Sequence, residues 1–167
     1  MSNSDSFATI VLNTVAHELA DLPDLAQATR IVFKLLLAAI LGGLLGFERE
    51  ASGKAAGLRT HMLVAMGAAM FLAIAQLLGV SAQESSRVMQ GVIAGIGFLG
   101  AGAILKSSKG GEEDIKGLTT AAGIWFTAAI GVAVGVGEES AAIFCTVIAL
   151  IVLMVVPWLT KDRKRQK

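Results

Sequence analysis

Twenty-one consecutive residues at positions 140–160, SAAIFCTVIALIVLMVVPWLT, contain no Asp, Glu, Lys or Arg. A helix needs about 20 apolar residues to cross the hydrocarbon core of a bilayer, so this segment predicts a transmembrane helix. Residues 31–47 have the same character and are interrupted only by Lys34, which lies near one end and can reach the interface. Three further charge-free segments are residues 60–83, 88–105 and 117–137. The sequence therefore predicts an all-α membrane protein with five transmembrane helices.

The composition of the whole chain agrees with a membrane protein. Of its 167 residues, 54% are hydrophobic and 16% are charged, and the mean hydropathy is +0.70. These values disfavour a disordered chain and a nucleic-acid-binding protein. Continuous hydrophobic character over each segment favours spanning helices over the alternating strands of a β-barrel.

We expect no catalytic residue, no metal site and no cofactor. Cys145 is the single cysteine, which excludes an intrachain disulfide and a metal cluster built from several cysteines. Residues 95–100, GIGFLG, match the dinucleotide-binding pattern GxGxxG. That chemistry requires a turn between a strand and a helix, whereas these residues lie inside an apolar segment.

The first 30 residues differ from the rest of the chain. Apolar residues recur on one helical face at Phe7, Val11, Val15 and Leu19. This spacing predicts a short amphipathic helix on the membrane surface or against the bundle. Residues 1–6 have no basic side chain, so we expect no cleavable signal peptide. The predicted regions are an amphipathic segment, residues 1–30, a five-span membrane domain, residues 31–160, and a basic cytoplasmic tail, residues 161–167.

The basic residues predict the orientation in the membrane, because cytoplasmic loops are enriched in Lys and Arg. Eleven of the 14 Lys and Arg residues lie in the loops after the first and third predicted spans and in the C-terminal tail. Arg30 and Arg87 lie on the other side. We therefore expect the N-terminus to lie outside and the C-terminus in the cytoplasm.

A short sequence repeat suggests an internal duplication. Residues 57–60, GLRT, are echoed 60 positions later by residues 117–120, GLTT, and Gly42 aligns with Gly102 at the same offset. Two helical hairpins followed by one extra helix are the simplest interpretation. The alternative is chance similarity between membrane helices that are rich in small residues.

Three pairs of glycines are spaced four residues apart, so each pair lies on one face of a predicted helix. The pairs are Gly42 and Gly46, Gly91 and Gly95, and Gly131 and Gly135. Small residues let helix backbones approach closely in lipid, which predicts that these glycines are packing positions. Packing within the monomer is the favoured interpretation, and a seam between two copies is the alternative.

Polar residues gather at the cytoplasmic ends of the predicted spans. The candidate functional cluster is Glu48, Arg49, Arg59, Thr60, His61, Thr119 and Thr120. Glu48 and Arg59 lie at facing ends of consecutive spans, which predicts an ion pair between them. His61 has a side chain that can titrate near neutral pH. A purely structural clamp with helix caps is the alternative to a functional site.

Four segments occur together in an order typical of one known family. They are residues 38–50 (AAILGGLLGFERE), 57–61 (GLRTH), 90–105 (QGVIAGIGFLGAGAIL) and 117–131 (GLTTAAGIWFTAAIG). Together they resemble the MgtC/SapB family of bacterial inner-membrane proteins. The resemblance implies a five-span domain with an outside N-terminus, linked to growth in low magnesium, acid tolerance and virulence. It also implies restraint of the rotary ATP synthase and an influence on membrane potential.

Two departures from the family pattern define the kind of member expected. The long members have a soluble domain after the fifth span, which this sequence does not include, and the virulence factor is similar to GLNT where residues 117–120 are GLTT. We therefore expect a short SapB-type member.

The leading functional hypothesis is a regulatory, non-enzymatic membrane protein. It would act through helix contacts on an ion-translocating complex such as a membrane ATPase or the ATP synthase. The alternative is a small transporter or channel for magnesium or protons. Magnesium sites use carboxylates, and no carboxylate lies deep within a predicted span, which favours the regulator. The lipid bilayer and a second copy of the chain are further expected partners, and nucleic acid is not.

Overall fold

The computed structural model describes residues 7–20, 24–109 and 112–161. Its elements in chain order are α1 (Phe7–Ala20), α2 (Leu25–Ala51), α3 (Leu58–Leu77), α4 (Ala82–Ala103), β1 (Leu105–Lys109), β2 (Glu112–Lys116), α5 (Leu118–Val136) and α6 (Glu139–Lys161). The predicted basic tail lies outside the described residues from position 162 onward.

The chain forms two units, Met1–Arg30 and Ile31–Lys167. The first unit contains α1, which covers the predicted N-terminal helix. Its large apolar side chains are exposed, as at Phe7 and Leu12. Binding of this face to a membrane surface stays a prediction.

Four helices of the described chain are long and apolar enough to cross a membrane. They are α2, α3, α5 and the Glu139–Leu159 part of α6. The remaining predicted span, residues 88–105, coincides largely with α4. Polar side chains in its first turns, including Arg87 and Gln90, together with its glycines, lower the hydropathy of this helix. The chain is thus a multi-pass helical membrane protein, whereas the count of five spans stays a prediction.

Local chemistry explains where the helices begin and end. Ser81 caps α4 by accepting a hydrogen bond from the Glu84 backbone N–H at 3.2 Å, while the Glu84 carboxylate accepts from the Ser81 N–H at 2.9 Å. Gly137 ends α5 with φ +95°, a left-handed conformation that glycine adopts without strain. At Gly117 a Cβ atom would lie 1.9 Å from the Ala103 carbonyl oxygen, so glycine is required there.

The segment between α4 and α5 forms a β-hairpin. Strands β1 and β2 pair antiparallel, with Leu105 opposite Lys116 and Lys109 opposite Glu112. The hairpin brings the end of α4 close to the start of α5, because its first and last residues are paired.

Helix α2 packs against α3 through glycine. A Cβ atom on Gly42 would lie 2.6 Å from the His61 carbonyl oxygen, and one on Gly46 would lie 2.7 Å from Leu58 Cα. Gly46, the later glycine of α2, thus contacts Leu58, which precedes His61 in α3. The two helices therefore run antiparallel. Gly42 and Gly46 thus lie where the backbones of α2 and α3 approach closely.

Helix α5 packs on another side of α3 through the second glycine pair. A Cβ atom on Gly131 would lie 2.2 Å from the Ala65 carbonyl oxygen, and one on Gly135 would lie 2.7 Å from Leu72 Cβ. The contacts advance in the same direction along both helices, so α3 and α5 run parallel. A buried cluster joins α2, α3, α5 and α6 around this contact, and it consists of Ala38, Leu41, Leu45, Ala65, Ala69, Ile130, Val134 and Ala142.

The packing role predicted for Gly91 and Gly95 within the monomer is wrong. Both glycines are exposed, and a Cβ atom on either would meet nothing within 4 Å. Helix α4 instead packs through Ile96 and Gly100, the latter against Ala121 of α5. Because each residue turns a helix by about 100°, a shift of one position moves Gly91 and Gly95 off the contact face.

Candidate functional site

Arg49, which is buried, forms an ion pair with the partly buried Glu48 at the end of α2. The Arg49 guanidinium is 3% exposed and donates to Oε2 of Glu48, and the Ser52 hydroxyl donates to Oε1 of the same carboxylate at 2.8 Å. The predicted pair between Glu48 and Arg59 is therefore wrong, because Glu48 bonds to its own neighbour and Arg59 is exposed. A carboxylate bonded from both oxygens fixes the geometry of this helix end.

Glu50 caps the next helix, a role that the sequence analysis missed. Its Oε2 atom accepts a hydrogen bond from the Leu58 backbone N–H at 2.9 Å, at the first residue of α3. The unbonded N–H groups at a helix start favour a negative charge there. A Cβ atom on Gly57 would lie 2.5 Å from the same oxygen, so glycine leaves room for the carboxylate. The sequence did contain a signal for this cap. An acidic residue precedes the loop, and the loop ends at the Gly-Leu pair where α3 begins.

Arg59 and Thr60 are exposed at the start of α3. With Glu50 and Gly57 they line an open cleft of about 300 Å³ on the surface. The cleft combines a cation, a hydroxyl and a carboxylate within a small area. It can contact a charged or hydrogen-bonding group of a partner.

His61 is buried between α2, α3 and α5. It is 1% exposed, and its Nδ1 atom lies 2.9 Å from the Gly57 carbonyl oxygen. Its other ring nitrogen, Nε2, has no hydrogen-bond partner among the described residues. His61 and Thr119 both line a cavity of about 290 Å³ that also reaches α6. Thr120, the neighbour of Thr119, is buried on the other side of α5 and does not line this cavity.

The opposite end of the bundle has a second polar cluster, which sequence reasoning did not identify. The Lys34 ammonium donates to the Gln76 side-chain oxygen at 2.6 Å and to the Gly135 carbonyl oxygen at 2.7 Å. The Gln76 amide donates to the Val136 carbonyl oxygen at 2.7 Å. A cation at the end of α5 interacts favourably with the helix dipole. These bonds tie α2, α3 and α5 together.

The predicted functional cluster is thus divided into four places. Glu48 pairs with Arg49, Arg59 lies beside Thr60 in the exposed cleft, His61 shares its cavity with Thr119, and Thr120 is buried away from that cavity. In the part of the chain that the structure describes, no three His, Cys, Asp or Glu residues lie close enough together to hold a metal ion. The arrangement offers hydrogen bonds and charge for recognition.

Comparison with known proteins gives consistent matches. A family model described as "MgtC family" matches residues 35–162. The chain is 43% identical over 141 residues to "Putative magnesium transporter YhiD" of Escherichia coli K12, which covers 80% of this chain and 64% of the relative. It is 44% identical over 130 residues to "Protein SrpB" of Synechococcus elongatus, which covers 72% of this chain and 71% of the relative.

A further relative is "Protein MgtC" of Brucella abortus, which is 47% identical over 114 residues, 68% of this chain. The match spans 45% of that relative, so the chain corresponds to about half of its length. No solved structure shows a significant match. The family model covers well over half of the chain, and it includes every residue of the ion pair, the cleft and the cavity. The chain therefore belongs to the MgtC family.

Proposed function

We propose that this chain is a regulatory, non-enzymatic membrane protein of magnesium-related physiology, which acts by binding a helix of an ion-translocating complex. The observation that supports this most is an open apolar groove between α3 and α4. The groove has a volume of about 610 Å³, and glycines at positions 67, 91 and 95 lie along it. Lipid-embedded helices associate through such small-residue faces, because the backbones approach closely there.

The partner in this proposal is a membrane ATPase or the rotary ATP synthase, in the inner membrane. The family resemblance supports this class of partner, and the groove supports the mode of contact. A second copy of the chain is the alternative occupant of the same groove. Purification from native membranes, followed by identification of the co-purifying proteins, distinguishes a larger complex from a homo-oligomer.

Filling the groove is expected to abolish function while leaving the fold intact. Gly95→Leu places a branched side chain where a partner helix would contact α4, in open space that nothing within 4 Å restricts. We expect loss of growth support in low magnesium and loss of the co-purifying protein, at unchanged abundance and melting temperature. Gly97→Leu is the matched control, because Gly97 is equally open but does not line the groove. Equal behaviour of the two variants would contradict the proposal.

A small magnesium transporter is the second candidate, and the name of the E. coli relative favours it. The buried cluster that joins α2, α3, α5 and α6 consists of apolar side chains, which offer no ligand for a hydrated cation. Flux of Mg²⁺ into proteoliposomes that contain the purified chain alone would support transport over regulation.

The finer topology is also part of the proposal, with α4 as a fifth span. The packing supports it, because α3 and α5 run parallel, and the connection between them must return across the membrane. The 22 residues of α4 extend about 33 Å at 1.5 Å per residue, which matches the hydrocarbon core. Two parallel hairpins, α2–α3 and α4–α5, also fit the duplication inferred from the GLRT and GLTT segments.

Cysteine labelling tests the orientation that the basic residues predict. In a Cys145→Ser background, Ser140→Cys is expected to react with an impermeant thiol reagent in intact cells, whereas Ala55→Cys is expected to react only after permeabilisation. Both positions are exposed and lie near opposite ends of the helices. Labelling of Ala55→Cys in intact cells would reverse the proposed orientation.

A further inference from the structure

His61 is one of the residues that line an apolar cavity, and its ring nitrogen Nε2 is buried. The Gly57 carbonyl oxygen beside Nδ1 can only accept a hydrogen bond, so Nδ1 is the donor. In the neutral ring, Nε2 then presents a lone pair, and it has no partner among the described residues. A buried imidazolium would instead leave a charged N–H unbonded, at a larger cost in free energy. The arrangement therefore calls for a hydrogen-bond donor that reaches Nε2.

The walls of the cavity decide what kind of donor fits. Leu45 of α2, Phe126 of α5 and Leu153 of α6 line it, and His61 and Thr119 are its polar side chains. An ordered water needs two to four polar partners, and these two side chains provide only the minimum. A metal ion would need more ligands than one histidine and one hydroxyl provide. A molecule with one hydroxyl and a hydrocarbon body satisfies both Nε2 and the walls.

Size and access agree with such a ligand. The volume of about 290 Å³ has room for about ten water-sized groups, since one water occupies about 30 Å³ in the liquid. Ile148 and Val152 of α6 line the cavity, and both are exposed on the outside of the bundle. In a membrane this surface faces lipid, so a ligand reaches the cavity sideways from the bilayer.

We propose that this cavity binds the hydroxyl end of a lipophilic alcohol or phenol, whose O–H donates to Nε2 of His61. The hydrocarbon part of the ligand lies against Leu45, Phe126 and Leu153. This binding site is separate from the α3–α4 groove and does not depend on the regulatory function proposed above.

Nitrogen NMR of the histidine ring tests the hydrogen bond directly. The chain has 2 histidines, and His17 is exposed. In a His17→Gln background the histidine-ring nitrogen signals therefore all come from His61. The ¹⁵N-histidine-labelled protein is purified without a histidine tag, in a detergent that has no hydroxyl groups. 1-Octanol is expected to shift the Nε2 resonance upfield in a saturable way. Octyl methyl ether, which has no donor, is expected to leave that resonance in place.

Gly123→Ala is a variant in which the same site is blocked while the fold is kept. A Cβ atom there would lie 3.5 Å from Nε2, an ordinary contact distance that the fold tolerates. Alanine also favours the helix over glycine. The added methyl group occupies the space in front of Nε2, so we expect at least a tenfold weaker response to 1-octanol at an unchanged melting temperature. An undiminished response in this variant would overturn the proposal.

Two further probes distinguish the sources of the hydroxyl. Dioctanoylglycerol presents the aliphatic hydroxyl of a glycerolipid, and heptylhydroquinone presents the aromatic hydroxyl of a quinol. If either probe shifts the Nε2 resonance at a lower concentration than 1-octanol does, the result would support the site and identify the ligand class. An Nε2 signal that ignores all three hydroxyl compounds, or that responds equally to the ether, would overturn it.

Discussion

Replacing Gly131 by alanine is expected to separate α5 from α3 and to lower the free energy of unfolding by about 3 kcal/mol, the upper end for an overpacked core. The added Cβ atom would lie 2.2 Å from the Ala65 carbonyl oxygen and 2.9 Å from the Ala68 Cβ atom. The first neighbour is backbone, so no side-chain rotation relieves the clash. One helix must move away from the other, and the buried cluster around Ile130 and Val134 loses contacts along its length.

Gly95→Ala is the matched control for this prediction. It makes the same substitution on a membrane helix, but its Cβ atom would meet nothing within 4 Å. We expect its melting temperature in detergent to stay close to that of the wild type, while Gly131→Ala aggregates or melts far earlier. Similar melting of both variants would show that α3 and α5 do not pack as described.

The contrast between these two glycines shows how far sequence reasoning reaches. Spacing by four residues placed each glycine pair on one helical face, which is correct for both pairs. The spacing could not show whether that face contacts protein or lipid, because small residues are compatible with both environments. The outcome depends on a rotation of α4 by one residue position, which brings Ile96 and Gly100 to the contact face instead.

Helix positions were more predictable than polar contacts. Stretches without charge located α2, α3, α5 and α6, and the GLRT and GLTT segments marked the starts of α3 and α5. The bonds from Lys34 to Gln76 and Gly135 join residues 42 and 101 positions apart, and no local pattern indicates such distant partners. The Glu48 prediction failed for the opposite reason, since its partner is the adjacent residue, which normally points elsewhere on a helix.

Replacing Arg49 by methionine is expected to lower the free energy of unfolding by about 3 kcal/mol, the low end for removing one partner of a buried ion pair, because Glu48 is only partly buried. The Arg49 side chain is 3% exposed, and that of Glu48 is 13% exposed. Removing the guanidinium leaves the Glu48 carboxylate with the Ser52 hydroxyl as its remaining hydrogen-bond partner among the described residues. Arg49→Lys keeps the positive charge but lacks the forked donors of the guanidinium. We expect its free energy of unfolding to lie between those of the wild type and Arg49→Met.

Arg59→Met is the control that separates the structural clamp from a functional site. Arg59 is exposed in the cleft beside Thr60, so its removal should change the free energy of unfolding by less than about 0.5 kcal/mol. Melting in detergent and growth in low magnesium are measured on both variants at matched abundance. If the cleft recognises a partner, Arg59→Met loses growth support while it melts like the wild type, because the lost interaction lies outside the fold. A normally melting Arg49→Met protein would instead show that the buried pair does not stabilise this helix end.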